Sequence, residues 1–286
     1  MTGDRLFRGL ATGAGVVILA TLAGVALFLV VRAWPAFGMP GLPGYIGPLA
    51  FGTVVAALIA IAVAVPLSIA VALLLSHIAP RRVAQPLSYV IDLLAAIPSV
   101  IYGLWGIAVL GPAAVPVLEW LERHLGWLPF FAGPASATGR TMLVAGVVLA
   151  VMILPIITAV TRSVFEQTPR RLQEGALALG ATRWEMIRLT VLPFGRSAII
   201  SASMLGLGRA LGETMAVAIV LSVSGAVTLN LIGSGNPSTI AANIALDFPE
   251  SSGLAVNALI ASGLVLFAVT LVVNMAARAV INRQLR

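Results

Sequence analysis

Arg209 and Glu213 are the residues of this chain whose chemistry and spacing stand out. They lie four positions apart inside a largely apolar run, so on one continuous helix they share a face. A charge at membrane depth costs about 3 kcal/mol or more, and it turns toward a bundle interior or a water-filled cavity. A guanidinium offers forked donors matched to the oxygens of an oxyanion and stays charged at any physiological pH. Gly206, Gly208 and Gly212 leave room beside it for close helix approach or a path. Two uses remain open for the pair. Arg209 receives an anion while Glu213 holds it between such events, or the two form a permanent bridge between helices. Other chemistry is excluded by composition. With no cysteine there is no disulfide framework, thiol nucleophile, Cys-ligated zinc or iron–sulfur cluster. All 17 basic residues are arginine, so neither a Walker A lysine nor a Schiff-base lysine exists in this chain. Only His77 and His124 could supply imidazole, and no metal site is expected. Asp92 either caps a helix or meets Arg81 or Arg82; His77 reads as a loop residue.

The elements that must position Arg209 follow from composition. Of 286 residues 60% are hydrophobic and 9% charged, with a mean hydropathy of +1.07. Soluble domains carry about 25% charged residues, so a water-soluble enzyme is excluded, and so is a disordered chain. A spanning helix needs about 20 apolar residues. Six stretches qualify: Leu10 to Val31, Leu49 to Ser76, Ser88 to Gly111, Thr141 to Thr161, Ser197 to Ser224 and Leu254 to Ala277. The first is too long for a signal-peptide core and reads as a retained helix. Pro98 and several glycines interrupt the third. Thirteen arginines fall in one set of loops and tails against three in the other, which puts both termini in the cytoplasm. The net charge of +7 follows from that bias and favours anionic lipid; it forms no basic patch for nucleic acid. Residues 32–48, 112–140 and 225–253 are the external connections, with Trp34, Trp120 and Trp127 at the interface. Residues 1–286 read as one transmembrane domain without an internal repeat.

The cytoplasmic loop 162–196 is patterned as folded structure. Thr168 is placed to cap a helix that starts at Pro169. Leu172, Ala176 and Leu179 then share a face, and Gly180 ends the helix in a left-handed turn. Thr182-x-x-Glu185 is a capping-box pattern that opens a second helix, with Trp184, Ile187 and Val191 along an apolar side. Two short helices joined at a glycine suit insertion into a partner's groove or, equally, a rest on lipid headgroups.

Glu174-Gly175-Ala176, then Gly180, then Leu192-Pro193 resembles the EAA signature of permease subunits in bacterial ABC importers. Gly175 stands where that signature has alanine, and Thr190 where isoleucine is usual. Residues 95–106, AAIPSVIYGLWG, are similar to the third-helix motif of phosphate-specific permeases. Residues 206–217, GLGRALGETMAV, resemble their fifth-helix motif, in a form nearer the C-type than the A-type subunit. Residues 236–242, NPSTIAA, resemble their external loop. The likeness covers nearly the whole chain beyond the first apolar stretch.

The resemblance implies an all-α polytopic membrane protein with six transmembrane helices and the type I ABC importer permease fold. It implies one half of a phosphate path through the bacterial inner membrane, paired with an A-type permease. Glu174, Ala176, Gly180 and Trp184 become the ATPase-coupling residues, and Arg209 and Glu213 the substrate-path residues. No cofactor is expected in this chain, which is not an enzyme; ATP and Mg belong to a cytoplasmic ABC ATPase dimer. An extracytoplasmic phosphate-binding protein delivers the substrate. The alternatives are a permease for sulfate or molybdate, and a secondary transporter that needs no ATPase.

Overall fold

The structure is a computed structural model that describes residues 2–225 and 227–284. Among these, six helices are long and apolar enough to cross a membrane: Leu6–Gly38, Leu42–Ile78, Ser99–Leu125, Met142–Glu166, Arg183–Leu211 and Leu254–Ala276. In chain order, α1 (Thr2–Ala33) leads through a 3-10 turn into α2 (Leu42–Leu73), and α3 (Arg81–Ala95) follows. Next come α4 (Ser99–Trp105), α5 (Gly111–Leu125) and α6 (Met142–Glu166). Two short helices, α7 (Arg170–Ala178) and α8 (Arg183–Met186), precede α9 (Leu192–Leu211). The chain closes with α10 (Met215–Val220), α11 (Ile240–Asp247) and α12 (Leu254–Gln284).

Helix α6 is the hub. Val144, Val148, Leu149, Met152, Ile153 and Ile157 are buried on it, packed between α2, α9, α4 and α10. Small residues set the close approaches. A Cβ on Gly146 would stand 2.6 Å from Cβ of Ile59 on α2, and one on Gly206 of α9 would stand 2.8 Å from Cδ1 of Ile157. Without a hydrophobic driving force between helices in lipid, such close contact supplies much of the association energy. Helix α1 stands apart from this core, packing chiefly on α12 with its apolar residues exposed.

Two spans differ from the sequence reading. The third is Ser99–Leu125 rather than Ser88 to Gly111, and α3 is a separate helix before it. Pro98 has no amide hydrogen and disfavours helical backbone at Ile97, so the helix cannot run through. Apolar Val83, Leu87, Val90 and Leu94 recur on one exposed side of α3, the pattern of an interfacial helix rather than a span. The Tyr102 hydroxyl donates to the Leu94 carbonyl at 2.7 Å and ties the two helices across the break. Consequently residues 111–125 are helix, and the connection at the far end starts only beyond Leu125. Arg81, Arg82 and Arg123 keep their ends of the molecule, so the arginine asymmetry is unaffected. The second difference lies in the fifth span, where α9 stops at Leu211 and α10 is a separate short helix.

Besides the π-helical turn Leu74–Ile78 at the end of α2, one turn of π-helix occupies Gly106–Leu110 and another Ile187–Val191. Each of the latter two stands just before a proline, Pro112 or Pro193, whose ring pushes away the carbonyl four residues back. The wider turn absorbs that displacement and keeps both helices continuous.

Candidate translocation cleft and coupling segment

Helices α9 and α12 run antiparallel and, with Ile156 of α6, enclose an open cleft of about 970 Å³. Ser201, Met204, Leu205 and Gly208 form one face of α9; Leu271, Met275 and Arg278 face them from α12, with Asn274 beside them. Arg278 and Ser201 lie toward the arginine-rich end of the molecule, and Arg209 lies toward the opposite end. A Cβ on Gly208 would meet nothing within 4 Å, so this glycine leaves the cleft wide beside Arg209. The charged residues on the lining are Arg209 and Arg278, with no carboxylate among them. One guanidinium toward each end, on low-dielectric walls, gives the cleft a positive potential that suits anions. Sequence reasoning counted Arg278 only as a tail arginine, because nothing in the sequence says which face of α12 meets α9.

Arg209 and Glu213 do not share a helical face. The helix ends at Leu211 with Gly212 as its cap, and among the described residues there is no ion pair between the two. Glu213 is buried, and its Oε1 accepts the Ala216 amide hydrogen at 3.1 Å, capping α10. The positive end of a helix is where an acidic group is best placed. The break follows from glycines at 206, 208 and 212, which weaken the helix, together with a side chain at 213 that offers the next backbone an alternative partner.

The connection after α10 is built into the core. Asn236 is fully buried; its side-chain amide donates to Gly233, Arg140 and Ser222 carbonyls, and its Oδ1 accepts from Met142 N–H at 3.2 Å. Thr239 caps α11, and Thr53 of α2 accepts the Ile240 amide at 2.9 Å. The Arg140 guanidinium donates to the carbonyls of Ile219, Val220 and Leu221 at the end of α10. The NPSTIAA run is therefore a structural clamp joining α2, α6 and α10. Asn236→Ala leaves a buried N–H and three carbonyls short of partners, each costing about 1–3 kcal/mol. The expected result is a variant whose detergent-solubilised thermal midpoint falls clearly below that of the parent chain.

Most of the segment 168–193 forms as its sequence pattern requires. Helix α7 ends in a Schellman turn: Ala181 N–H donates to the Ala176 carbonyl at 3.1 Å, Gly180 N–H to Leu177 at 3.0 Å, and Gly180 has φ +89°. Thr182 and Glu185 complete the capping box, with Thr182 N–H donating to Glu185 Oε2 at 2.7 Å. The start of α7 differs from expectation. Pro169 is the cap residue, the helix begins at Arg170, and the buried Thr168 hydroxyl makes no hydrogen bond. Phe165, Met186, Ile187 and Val191 form a small core under the segment, against Ala72 and Leu73 of α2. Ala176 packs on that core, so it seats α7; Glu174, Gly180 and Trp184 are exposed. Leu179 is 91% exposed, Trp184, Leu172 and Leu189 are exposed as well, and Leu177 lines a shallow cleft with Trp184. Asp92 meets Arg162 at 3.9 Å rather than Arg81 or Arg82, because α3 lies against the end of α6.

Residues 79–286 match the family model described as "Binding-protein-dependent transport system inner membrane component". The "Phosphate transport system permease protein PstC 2" of Mycobacterium tuberculosis is 45% identical over 298 residues, covering 97% of this chain and 91% of the relative. A PstC protein of Xylella fastidiosa is 41% identical, covering 98% of this chain and 91% of its own length. Among solved structures, a bacterial alginate ABC transporter in complex with an alginate pentasaccharide-bound periplasmic protein superposes with a TM-score of 0.68 at 16% identity. That match covers 98% of this chain and 95% of the other. The MetNI methionine ABC transporter in an inward facing conformation gives 0.57 at 16% identity, over 91% of this chain and 98% of the other. The all-α, six-helix ABC importer permease fold is therefore the fold observed, and the chain belongs to the PstC permeases among the inner membrane components of binding-protein-dependent transport systems.

Proposed function

We propose that this chain is a permease subunit of an ATP-driven importer of inorganic phosphate. The observation that carries the reading is the identity to PstC phosphate permeases over almost the full length; the cleft lined by Arg209 and Arg278 supplies matching chemistry. A sulfate or molybdate permease would share the coupling segment, but the relatives carry phosphate in their names. ATP and Mg are bound by a partner ATPase dimer, consistent with a chain that has no lysine. The exposed surface around Leu179 and Trp184 is the docking face for that ATPase, with Glu174 and Gly180 beside it. A second, A-type permease closes the open side of the α9–α12 cleft, and a phosphate-binding protein delivers to the arginine-poor end. Both termini are cytoplasmic.

The test is reconstitution with companion permease, ATPase and binding protein in vesicles. ATP-dependent uptake of labelled phosphate, with little uptake of sulfate or molybdate, is the expected result. Equal transport of sulfate overturns the substrate, and phosphate uptake without ATPase overturns the mechanism. Since the chain has no native cysteine, Trp184→Cys reports orientation. It should resist impermeant thiol reagents applied outside intact cells and crosslink to the ATPase from within.

A further inference from the structure

A second polar cleft, of about 560 Å³, lies between α3, the end of α6 and the start of α7, away from the Arg209 cleft. Arg81, Arg162 and Arg170 line it against two acids, Asp92 and Glu166. On α3 the lining positions Arg81, Gln85, Ser88 and Asp92 follow helical spacing, so α3 turns a polar face inward while Val83, Leu87 and Val90 stay exposed on its other side.

Two buried polar groups on this cleft make no hydrogen bond. Thr168 is only 3% exposed, and neither its Oγ1 nor Arg162 Nε makes a hydrogen bond. Arg162 is ion-paired with both acids, Asp92 Oδ2 standing 3.9 Å from Nη2 and Glu166 Oε1 3.7 Å from Nε, but neither contact is short enough for a hydrogen bond. An arginine Nε–H can only donate, so the partner it lacks is an acceptor. Helices α3 and α7 both begin at this cleft after a proline cap, Pro80 or Pro169, with no side chain on their first amides. Free helix-start N–H groups beside an excess of guanidinium form a ready anion cradle.

We propose that this cleft binds a phosphate-class oxyanion, either free phosphate or the phosphate of an anionic lipid headgroup. The anion accepts from Arg162 Nε–H and the Thr168 hydroxyl, with Arg81 and Arg170 closing over it. It bridges α3, α6 and α7 and so fixes the coupling segment against the membrane helices. The proposal does not rest on the transport reading, because binding at equilibrium needs no ATPase and no uptake.

The full chain is placed in phosphatidylcholine nanodiscs with a fluorophore on Gln85→Cys, an exposed position on the cleft. Titration with inorganic phosphate should give a saturable response. Thr168→Val and Arg170→Gln should each weaken it about tenfold, as expected for losing a hydrogen bond to a charged group. Arg209→Gln should leave it unchanged. Arg81 and Arg170 are exposed and, among the described residues, enter no ion pair, so Arg81→Gln and Arg170→Gln test binding without disturbing the fold. If a lipid headgroup is the source, phosphatidylglycerol shifts the resting signal without added phosphate and Arg170→Gln reverses the shift. If free phosphate is the source, lipid composition changes nothing and phosphate titrates in both bilayers. The absence of a response to both probes, or a response that survives in Arg81→Gln and Arg170→Gln alike, overturns the proposal.

Discussion

Arg209→Gln should abolish ATP-driven phosphate uptake while the complex still assembles. Arg209 is the charge at the arginine-poor end of the α9–α12 cleft, and glutamine keeps much of its length while removing the forked cation. A hydrogen bond to a charged group is worth about 1.5–3 kcal/mol, and a bidentate contact contributes two, so uptake should fall by about two orders of magnitude or more. Assembly should survive because Arg209 is not paired with Glu213. Glu213 is held by the Ala216 amide, and losing the arginine leaves no new orphan acid. The same geometry separates the two acid substitutions. Glu213→Gln keeps an oxygen that accepts from Ala216, so its assembly should stay near normal. Glu213→Ala leaves a buried amide without a partner, at about 1–3 kcal/mol, and should lower assembly. The measurement is labelled phosphate uptake per assembled complex in vesicles. Near-normal uptake by Arg209→Gln would remove this residue from the path. A well-assembled Glu213→Gln complex without uptake would show that the acid meets Arg209 in another state of the transport cycle.

Gly180→Val should uncouple ATP hydrolysis from uptake. Gly180 has φ +89°, and a Cβ there would meet nothing within 4 Å, so the substitution strains the backbone without crowding a neighbour. Left-handed backbone costs an ordinary residue about 1–2 kcal/mol, and a β-branched side chain is worse placed still. The strain is relieved by opening the Schellman turn, which changes the angle between α7 and α8 and moves Leu179 relative to Trp184. ATP hydrolysed per phosphate carried should rise several-fold, with membrane insertion and subunit stoichiometry unchanged. Gly180→Asn, which tolerates the left-handed region, should restore most of the coupling. An unchanged ratio in the valine variant would remove the turn from the coupling path.

Sequence alone settled the membrane character, the number of spans and the helix–turn–helix form of residues 170–186. Each rests on local chemistry: apolar length for the helices, a glycine and a capping box for the α7–α8 turn. The resemblance of residues 174–193 and 206–217 reached the family for the same reason, since those motifs are contiguous. Tertiary structure decided where helices break and which faces meet. Pro98 was visible as an interruption, but the position of the span depended on α3 finding an interface for its one-sided apolar face. Glu213 looked like the partner of Arg209 because spacing assumes an unbroken helix, whereas a buried amide at the start of α10 competes for the same carboxyl. Arg278 entered the cleft only because α12 lies antiparallel to α9, a juxtaposition across about 70 residues that no local pattern encodes. Asn236 likewise belonged to a run that resembled an external loop and proved to be a buried clamp, since Arg140, Met142 and Ser222 reach it from segments that only packing brings together.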